Sequence, residues 1–189
     1  LDIAVRRGHR AVAEAFLDHG ISGYNREERL QQCERFNELN KKLLSTAESG
    51  DNQGVVAALE EGAEITSTDW KDETGMHLSA DKGHQSVLLT LLTRGLNVNI
   101  RGRGSYQITG LMLAAKSGHL NCLQSLLDHG ALTDLKDDRG HTALMFAAEH
   151  NYADIAGELL ARQANVNIIN DDKKTALQIA EEKSNQDVV

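Results

Sequence analysis

Eight histidines are the first candidates for chemistry in this 189-residue sequence, because imidazole binds metals and transfers protons near neutral pH. Five of them stand in short sequences that recur along the chain, and such recurrence favours structural hydrogen bonds over metal ligation: His9, His19, His84, His119 and His129. His77 lies in a segment whose overall pattern recurs, and we expect a structural role for it too. Only His141 and His150 lie at positions without a recurring context. We therefore predict no metal site and no cofactor.

Other catalytic patterns are missing as well. The basic, glycine-rich segment at 101–104 lacks the Lys-Ser/Thr pair and the flanking strand and helix of a phosphate site. No motif surrounds Cys33 or Cys122, and Cys122 takes an apolar slot where neighbouring segments have Val or Ile, which predicts a buried filler. The carboxylate pairs at 137–138 and 171–172 fall in solvent-open turns, where burial cannot tune a pKa. We predict that this segment is not an enzyme and has no small-molecule substrate.

Composition excludes further classes of function. A net charge of −8 disfavours general binding to nucleic acid or to an anionic membrane. No apolar run approaches the roughly 20 residues of a membrane span, so we expect no membrane insertion. Two cysteines make no disulfide scaffold, which favours a reducing, intracellular setting in the cytoplasm, the nucleus or both.

The helices and turns that must position any site recur about every 33 residues. Thr142 has counterparts 33 residues away on both sides, at Thr109 and Thr175, and Thr74 lies 35 residues before Thr109. Lys41 takes the same place 33 residues before Thr74. Apolar residues with helical spacing follow these anchors in two short runs. One such unit cannot bury its apolar faces alone, so the units must stack.

Three of these segments, TGMHLSADKGH, TGLMLAAKSGH and TALMFAAEHNY, resemble the TPLHxAAxxGH motif of ankyrin repeats. The resemblance covers nearly the whole chain except about residues 22–40. It implies an all-α solenoid of about six repeats, the first and last partial, built from helix pairs with short β-hairpin fingers. The predicted units are a partial repeat at 1–21, a helical insertion at 22–40, repeats at 41–68, 69–103, 104–136 and 137–169, and a partial repeat at 170–189.

Several departures from the repeat carry their own predictions. The insertion predicts one long helix from about Asn25 that runs into the next repeat, which then lacks its finger. It either caps a new array or buttresses the joint between two arrays. Asn151-Tyr152 replaces Gly–His and Gln163 replaces a glycine, which predicts a local bend. The chain begins at Leu1, inside a motif and without Met, so we expect the natural protein to continue at both ends.

The resemblance implies that a partner protein or peptide binds the concave face, through positions that the motif leaves variable. Trp, Tyr and Arg often anchor interfaces, so we expect Trp70, Tyr106 and Arg139 to contribute most. An equal alternative is that Trp70 packs on a neighbouring finger. The rival function is a structural spacer that positions a neighbouring enzyme, receptor or channel domain. The candidate partner-binding residues are Trp70, Lys71, Arg101, Arg103, Tyr106, Arg139, His141, Glu149, His150 and Lys173.

Two asparagines carry a secondary hypothesis. Asn99 and Asn167 each follow a leucine by eight residues. This resembles the context in which ankyrin domains are hydroxylated on Asn by an oxygen-sensing dioxygenase. The first role we expect for these residues is loop stabilisation, and modification comes second.

Overall fold

The computed structural model describes residues 26–102 and 107–183, which form paired helices. In these two ranges β structure is limited to isolated antiparallel bridges between Thr68 and Thr74 and between Arg101 and Thr109. The predicted all-α repeat solenoid is thus confirmed. The helices are α1 Arg26–Ser49, α2 Asn52–Glu60, α3 Gly75–Lys82, α4 Gln85–Thr93, α5 Gly110–Ser117, α6 Leu120–Asp128, α7 Ala143–Glu149, α8 Ala153–Ala161 and α9 Ala176–Lys183.

The long first helix continues through the place where the next repeat would have its finger. α1 runs without a break for 24 residues and packs on α2 and α3. Its buried residues Leu39, Leu43 and Ala47 belong to the apolar core shared with these helices, and Cys33 is buried as well. The expected continuous helix is therefore present, and the boundary predicted between residues 40 and 41 lies inside it. The predicted partial repeat at 1–21 lies outside the described residues.

Threonine begins the first helix of the repeats that follow. Thr74, Thr109 and Thr142 are the N-cap residues of α3, α5 and α7, all in extended backbone conformation. The hydroxyls of Thr109 and Thr142 each accept a hydrogen bond from the backbone N–H three residues later. This satisfies one of the donors that a helix start leaves unpaired, which explains why threonine recurs at the anchor position.

A single apolar core runs through the stack. The first helices α3, α5, α7 and α9 pack side by side, and the second helices α4, α6 and α8 pack along them. Pairs of alanines, as at Ala114-Ala115 and Ala147-Ala148, are fully buried and let neighbouring helices approach closely. Cys122 is buried among the core residues, as predicted, and burial raises the pKa of its thiol to about 11.

The loops between helices use left-handed backbone at fixed places. The residue nine positions after each of the first four anchors has positive φ. Gly50, Gly83 and Gly118 have φ near +80°, and Asn151 has φ +59°. Gln163 has φ +64°, and the glycines at the equivalent positions of the earlier repeats also have positive φ. Both replacements preserve the left-handed conformation of the turn. The local bend of the stack that they predict stays a prediction.

No helix in the described ranges has the length and apolar character needed to cross a membrane.

Candidate functional site

A groove of about 990 Å³ lies between two turns of the chain and the first helices beside them. We call it the finger groove. Its lining comes from the first finger turn at 69–73, the second finger turn at 137–141, helices α5 and α7, Asp172, and Gly102, Gln107 and Ile108 of the finger that lies between the two turns in the chain. Six of the residues predicted from the sequence line it: Trp70, Lys71, Arg139, His141, Glu149 and His150. Residues as far apart in the chain as Trp70 and His150 thus share one surface.

Each finger turn is fixed by an aspartate five residues before the anchor threonine. Asp69 Oδ1 accepts hydrogen bonds from the N–H groups of Lys71, at 2.8 Å, and Glu73, at 2.9 Å. Asp137 holds the second finger turn in the same way, with distances of 3.0 and 2.7 Å. A single carboxylate that accepts from successive N–H groups fixes the turn backbone. The side chains on these turns are therefore displayed from a rigid support.

Trp70 stands at the tip of the first finger turn with 87% of its surface exposed. The ammonium of Lys71 lies 5.0 Å from the centre of its ring, within the range of a cation–π contact. Trp70 therefore packs on little among the described residues. The tip of the neighbouring finger, residues 103–106, lies outside them, so the alternative that Trp70 packs on that finger stays a prediction. Its indole faces solvent at the mouth of the groove.

The floor of the finger groove is apolar. Leu113 of α5 and Phe146 of α7 line it and are nearly buried. The Phe146 ring has the Lys116 ammonium 6.0 Å from its centre and the His141 ring at a centroid distance of 5.6 Å. Our sequence reasoning missed Leu113 and Phe146. The available signal was the variable position of the repeat motif, which holds a large apolar residue in all four repeats: Leu78, Leu113, Phe146 and Ile179.

Charge around the groove is unevenly distributed. Five acidic residues line it, against three basic ones: Asp72, Glu73, Asp137, Glu149 and Asp172 against Lys71, Lys116 and Arg139. Glu73 is the partly buried acid at the base of the first finger turn, and burial, followed by the charge of Asp69, raises the pKa of its carboxyl. Its carboxylate forms no hydrogen bond or ion pair with the described residues.

The second wall of the groove is held by contacts between repeats. His141 has Nε2 3.1 Å from the Asn170 side-chain amide and Nδ1 3.6 Å from Asp137 Oδ1. Glu149 pairs with Lys183 of α9 at 3.4 Å. The His150 ring stacks on Tyr152, with ring centres 6.1 Å apart. His141, Glu149 and His150 therefore already contact other residues of the chain, and these contacts hold them in the wall of the groove.

The remaining predicted site residues lie elsewhere. Arg101 does not line the groove, and its guanidinium donates to the Lys136 carbonyl at 2.7 Å, joining two neighbouring fingers. Lys173 sits in a turn at φ +62° and is not among the groove residues. Arg103 and Tyr106 lie outside the described residues. The structure thus brings six of the ten predicted residues to one groove.

The two asparagines proposed for hydroxylation differ in their surroundings. Asn99 Oδ1 accepts from the Leu132 N–H at 2.9 Å, and its amide nitrogen lies 3.4 Å from the Gly130 carbonyl. Asn99 therefore joins two adjacent repeats. The side chain of Asn167 is exposed, and the hydrogen bond found for this residue runs from its backbone N–H to Asn165 Oδ1, at 3.0 Å.

Three histidines form the structural hydrogen bonds expected of them. His84 Nε2 lies 2.9 Å from the Glu48 carbonyl and His119 Nε2 lies 3.0 Å from the Asp81 carbonyl, so each ties a loop to the preceding repeat. His77 is fully buried and contacts the Ile108 carbonyl through Nε2 at 3.1 Å. Among the described residues, no group of three or more His, Cys, Asp or Glu side chains is placed to hold a metal ion.

Comparison with known proteins gives one family. A family model described as ankyrin repeats (3 copies) matches residues 43–137 and 111–189, which together make up most of the chain. A comparison with curated protein sequences gives no match.

Proposed function

This chain belongs to the ankyrin-repeat family, and we propose that it is a non-catalytic module that binds a partner protein or peptide in the finger groove. Ankyrin repeats are generally protein–protein interaction modules, and the family is typically non-catalytic. We propose that the module acts inside the cell, in the cytoplasm or the nucleus. The fixed turns, the apolar floor and the displayed indole of the finger groove support this function.

The exposed indole of Trp70 is the observation that carries the proposal. An aromatic side chain offers about 150–250 Å² of surface, and covering it at about 25 cal/mol per Å² contributes up to about 4–6 kcal/mol before the costs of association. The chain leaves 87% of this surface in water, on a turn that Asp69 holds rigid. A partner that covers Trp70 gains this surface without having to order the turn.

Replacing Trp70 by alanine should weaken partner binding by about tenfold to a hundredfold, as expected for a central aromatic anchor. A suitable ligand is a peptide selected from a displayed random library on the immobilised chain, with affinity measured by calorimetry. The helical circular dichroism of the variant should match that of the parent chain, because Trp70 packs on little else. Arg139→Ala should weaken binding in the same direction.

Leu132→Ala is the matched control for this measurement. Leu132 is another exposed apolar side chain, 56% exposed, and lies outside the finger groove. Its truncation should leave affinity within about twofold. Equal affinities for the parent chain and both Trp70→Ala and Arg139→Ala would remove the groove as the binding site and leave the spacer role as the better account.

We further propose that Asn167 is hydroxylated more readily than Asn99. A modifying enzyme must detach the asparagine from its own contacts, and Asn99 holds two backbone groups of the next repeat while the Asn167 side chain is exposed. Mass spectrometry of the protein isolated from its own cells should show the mass of one added oxygen on the Asn167 peptide. If neither peptide carries added oxygen, the hypothesis is wrong for both residues.

A further inference from the structure

The finger groove has the charge pattern of a site for a cation. Acidic side chains outnumber basic ones along its lining, and the whole chain carries a net charge of −8. Two of the basic groups are already placed over aromatic rings, Lys71 on Trp70 and Lys116 on Phe146. The lining thus has two more acids than bases, and of these acids Glu149 is paired with Lys183 of α9.

Glu73 is the acid best placed to form an ion pair with a cation of a bound partner. It is partly buried at the base of the first finger turn, and its carboxylate forms no hydrogen bond or ion pair with the described residues. A partly desolvated carboxylate without a close partner is costly for the free chain. An incoming cation would remove that cost when it binds.

Trp70 complements this carboxylate, since both belong to the first finger turn. Its ring already lies within 5.0 Å of one ammonium group, that of Lys71, which demonstrates that a face of the indole accepts a cation in this geometry. Most of the remaining ring surface is open. A cationic side chain can lie along the indole with its charged end directed to the groove, and its methylene stem covers apolar surface on the way.

We infer that the finger groove binds an extended peptide segment whose lysine or arginine side chain enters between Trp70 and Glu73, with an apolar side chain of the same segment on the floor formed by Leu113 and Phe146. This inference rests on the proposed function and specifies the chemistry of its ligand. Trp70 supplies the contact surface and Glu73 the counter-charge. The floor accounts for the apolar neighbour, because Leu113 and Phe146 are both large apolar side chains that line the groove.

A double-mutant cycle on selected peptides tests the inference. Peptides selected from a displayed random library are first sorted by whether Trp70→Ala abolishes their binding. In that Trp70-dependent set we expect a lysine or arginine in each peptide. Replacing it by glutamine should cost at least about tenfold in affinity on the parent chain and less than about twofold on Glu73→Gln.

Glu48→Gln is the charge-matched control, because Glu48 is an exposed acid outside the groove. On this variant the peptide substitution should cost as much as it does on the parent chain. Trp70-dependent peptides without a cation, or an equal cost on Glu73→Gln and on the parent chain, would overturn the inference and leave the proposed function intact. Peptides that depend on neither Trp70 nor Arg139 would overturn both, and peptides that depend on Arg139 but not on Trp70 would overturn the inference alone.

The pH dependence of binding gives a second test. The pKa of Glu73 is raised by burial and by Asp69 and Asp81, against the opposing charges of Lys71 and Lys116. Affinity for a lysine peptide should therefore fall on acidification at a pH above the ordinary range of a glutamate, because the cation loses its counter-charge. Glu73→Gln should lack this step, and an unchanged step in that variant would contradict the inference.

Stability separates a binding role for Glu73 from a structural one. An acid whose pKa is raised by folding makes the folded state bind protons more readily, so the free chain loses stability as Glu73 ionises with rising pH. Glu73→Gln should leave the melting temperature unchanged or raise it by up to about 2 °C at neutral pH. A clear fall in melting temperature would identify Glu73 as a structural residue and overturn its assigned role.

Discussion

Replacing Gly83 by alanine should destabilise the chain by about 2–4 kcal/mol, through backbone strain and a steric clash together. Gly83 ends α3 with φ +77°, a left-handed conformation in which a side chain is unfavourable. A Cβ atom built there would lie 2.6 Å from Nδ1 of His119. That ring cannot move away freely, because its Nε2 is hydrogen-bonded to the Asp81 carbonyl at 3.0 Å.

Gly95→Ala is the control that separates the two causes. Gly95 has φ +89°, and nothing lies within 4 Å of a Cβ atom built on it. This variant should lose only the strain of the left-handed conformation, about 1 kcal/mol. Urea unfolding followed by circular dichroism gives both free energies of unfolding. Equal losses of unfolding free energy for the two variants would mean that the His119 ring moves away from the new Cβ atom without an energetic cost.

The clash can also be isolated by removing the ring. In a His119→Ala background, Gly83→Ala should cost about as much as Gly95→Ala, so the two changes are not additive in the parent chain. The same contact recurs in the stack, where the rings of His84 and Tyr152 lie over Gly50 and Gly118. Gly83 and His84 are thus adjacent in their own loop, and each also contacts a neighbouring repeat, because Gly83 lies against His119 and His84 lies against Gly50.

The features that could be predicted from the sequence are those that the repeat imposes. Thr74, Thr109 and Thr142 are each the N-cap residue of a helix. Every repeat needs an N-cap at this position, so threonine recurs at the repeat spacing. The long α1 was predicted for a similar reason, because residues 25–49 contain neither Gly nor Pro. Family membership followed from these regularities.

The finger groove could be predicted only in part, because its character depends on what neighbouring repeats bring together. Exposed and variable positions pointed to Trp70 and Arg139, but Leu113 and Phe146 were not singled out from the sequence. The partial burial of Glu73 comes from tertiary packing and leaves no mark in local sequence. Arg101 stood in a basic, exposed-looking finger, yet its guanidinium reaches the Lys136 carbonyl of the next finger.

His77→Met should lower the free energy of unfolding by about 2 kcal/mol near pH 7.5, and less at acidic pH. Methionine occupies the equivalent positions 112 and 145, so the change suits the site sterically. The cost comes from lost hydrogen bonds. Nδ1 of His77 accepts from the Thr74 N–H at 3.1 Å, which leaves the proton on Nε2 to donate to the Ile108 carbonyl at 3.1 Å.

The pH dependence follows from the same burial. Burial holds the pKa of His77 below its ordinary value of 6.5, while the unfolded chain keeps that ordinary value. Below about pH 6.5 the unfolded chain therefore takes up a proton that the folded chain does not, and the stability that His77 provides is lost as pH falls towards the lowered pKa. His77→Met has no such group, so its deficit relative to the parent chain should shrink from about pH 7.5 to about pH 5.5 in urea unfolding. A deficit that stays constant over this range would show that His77 titrates alike in the folded and unfolded chain.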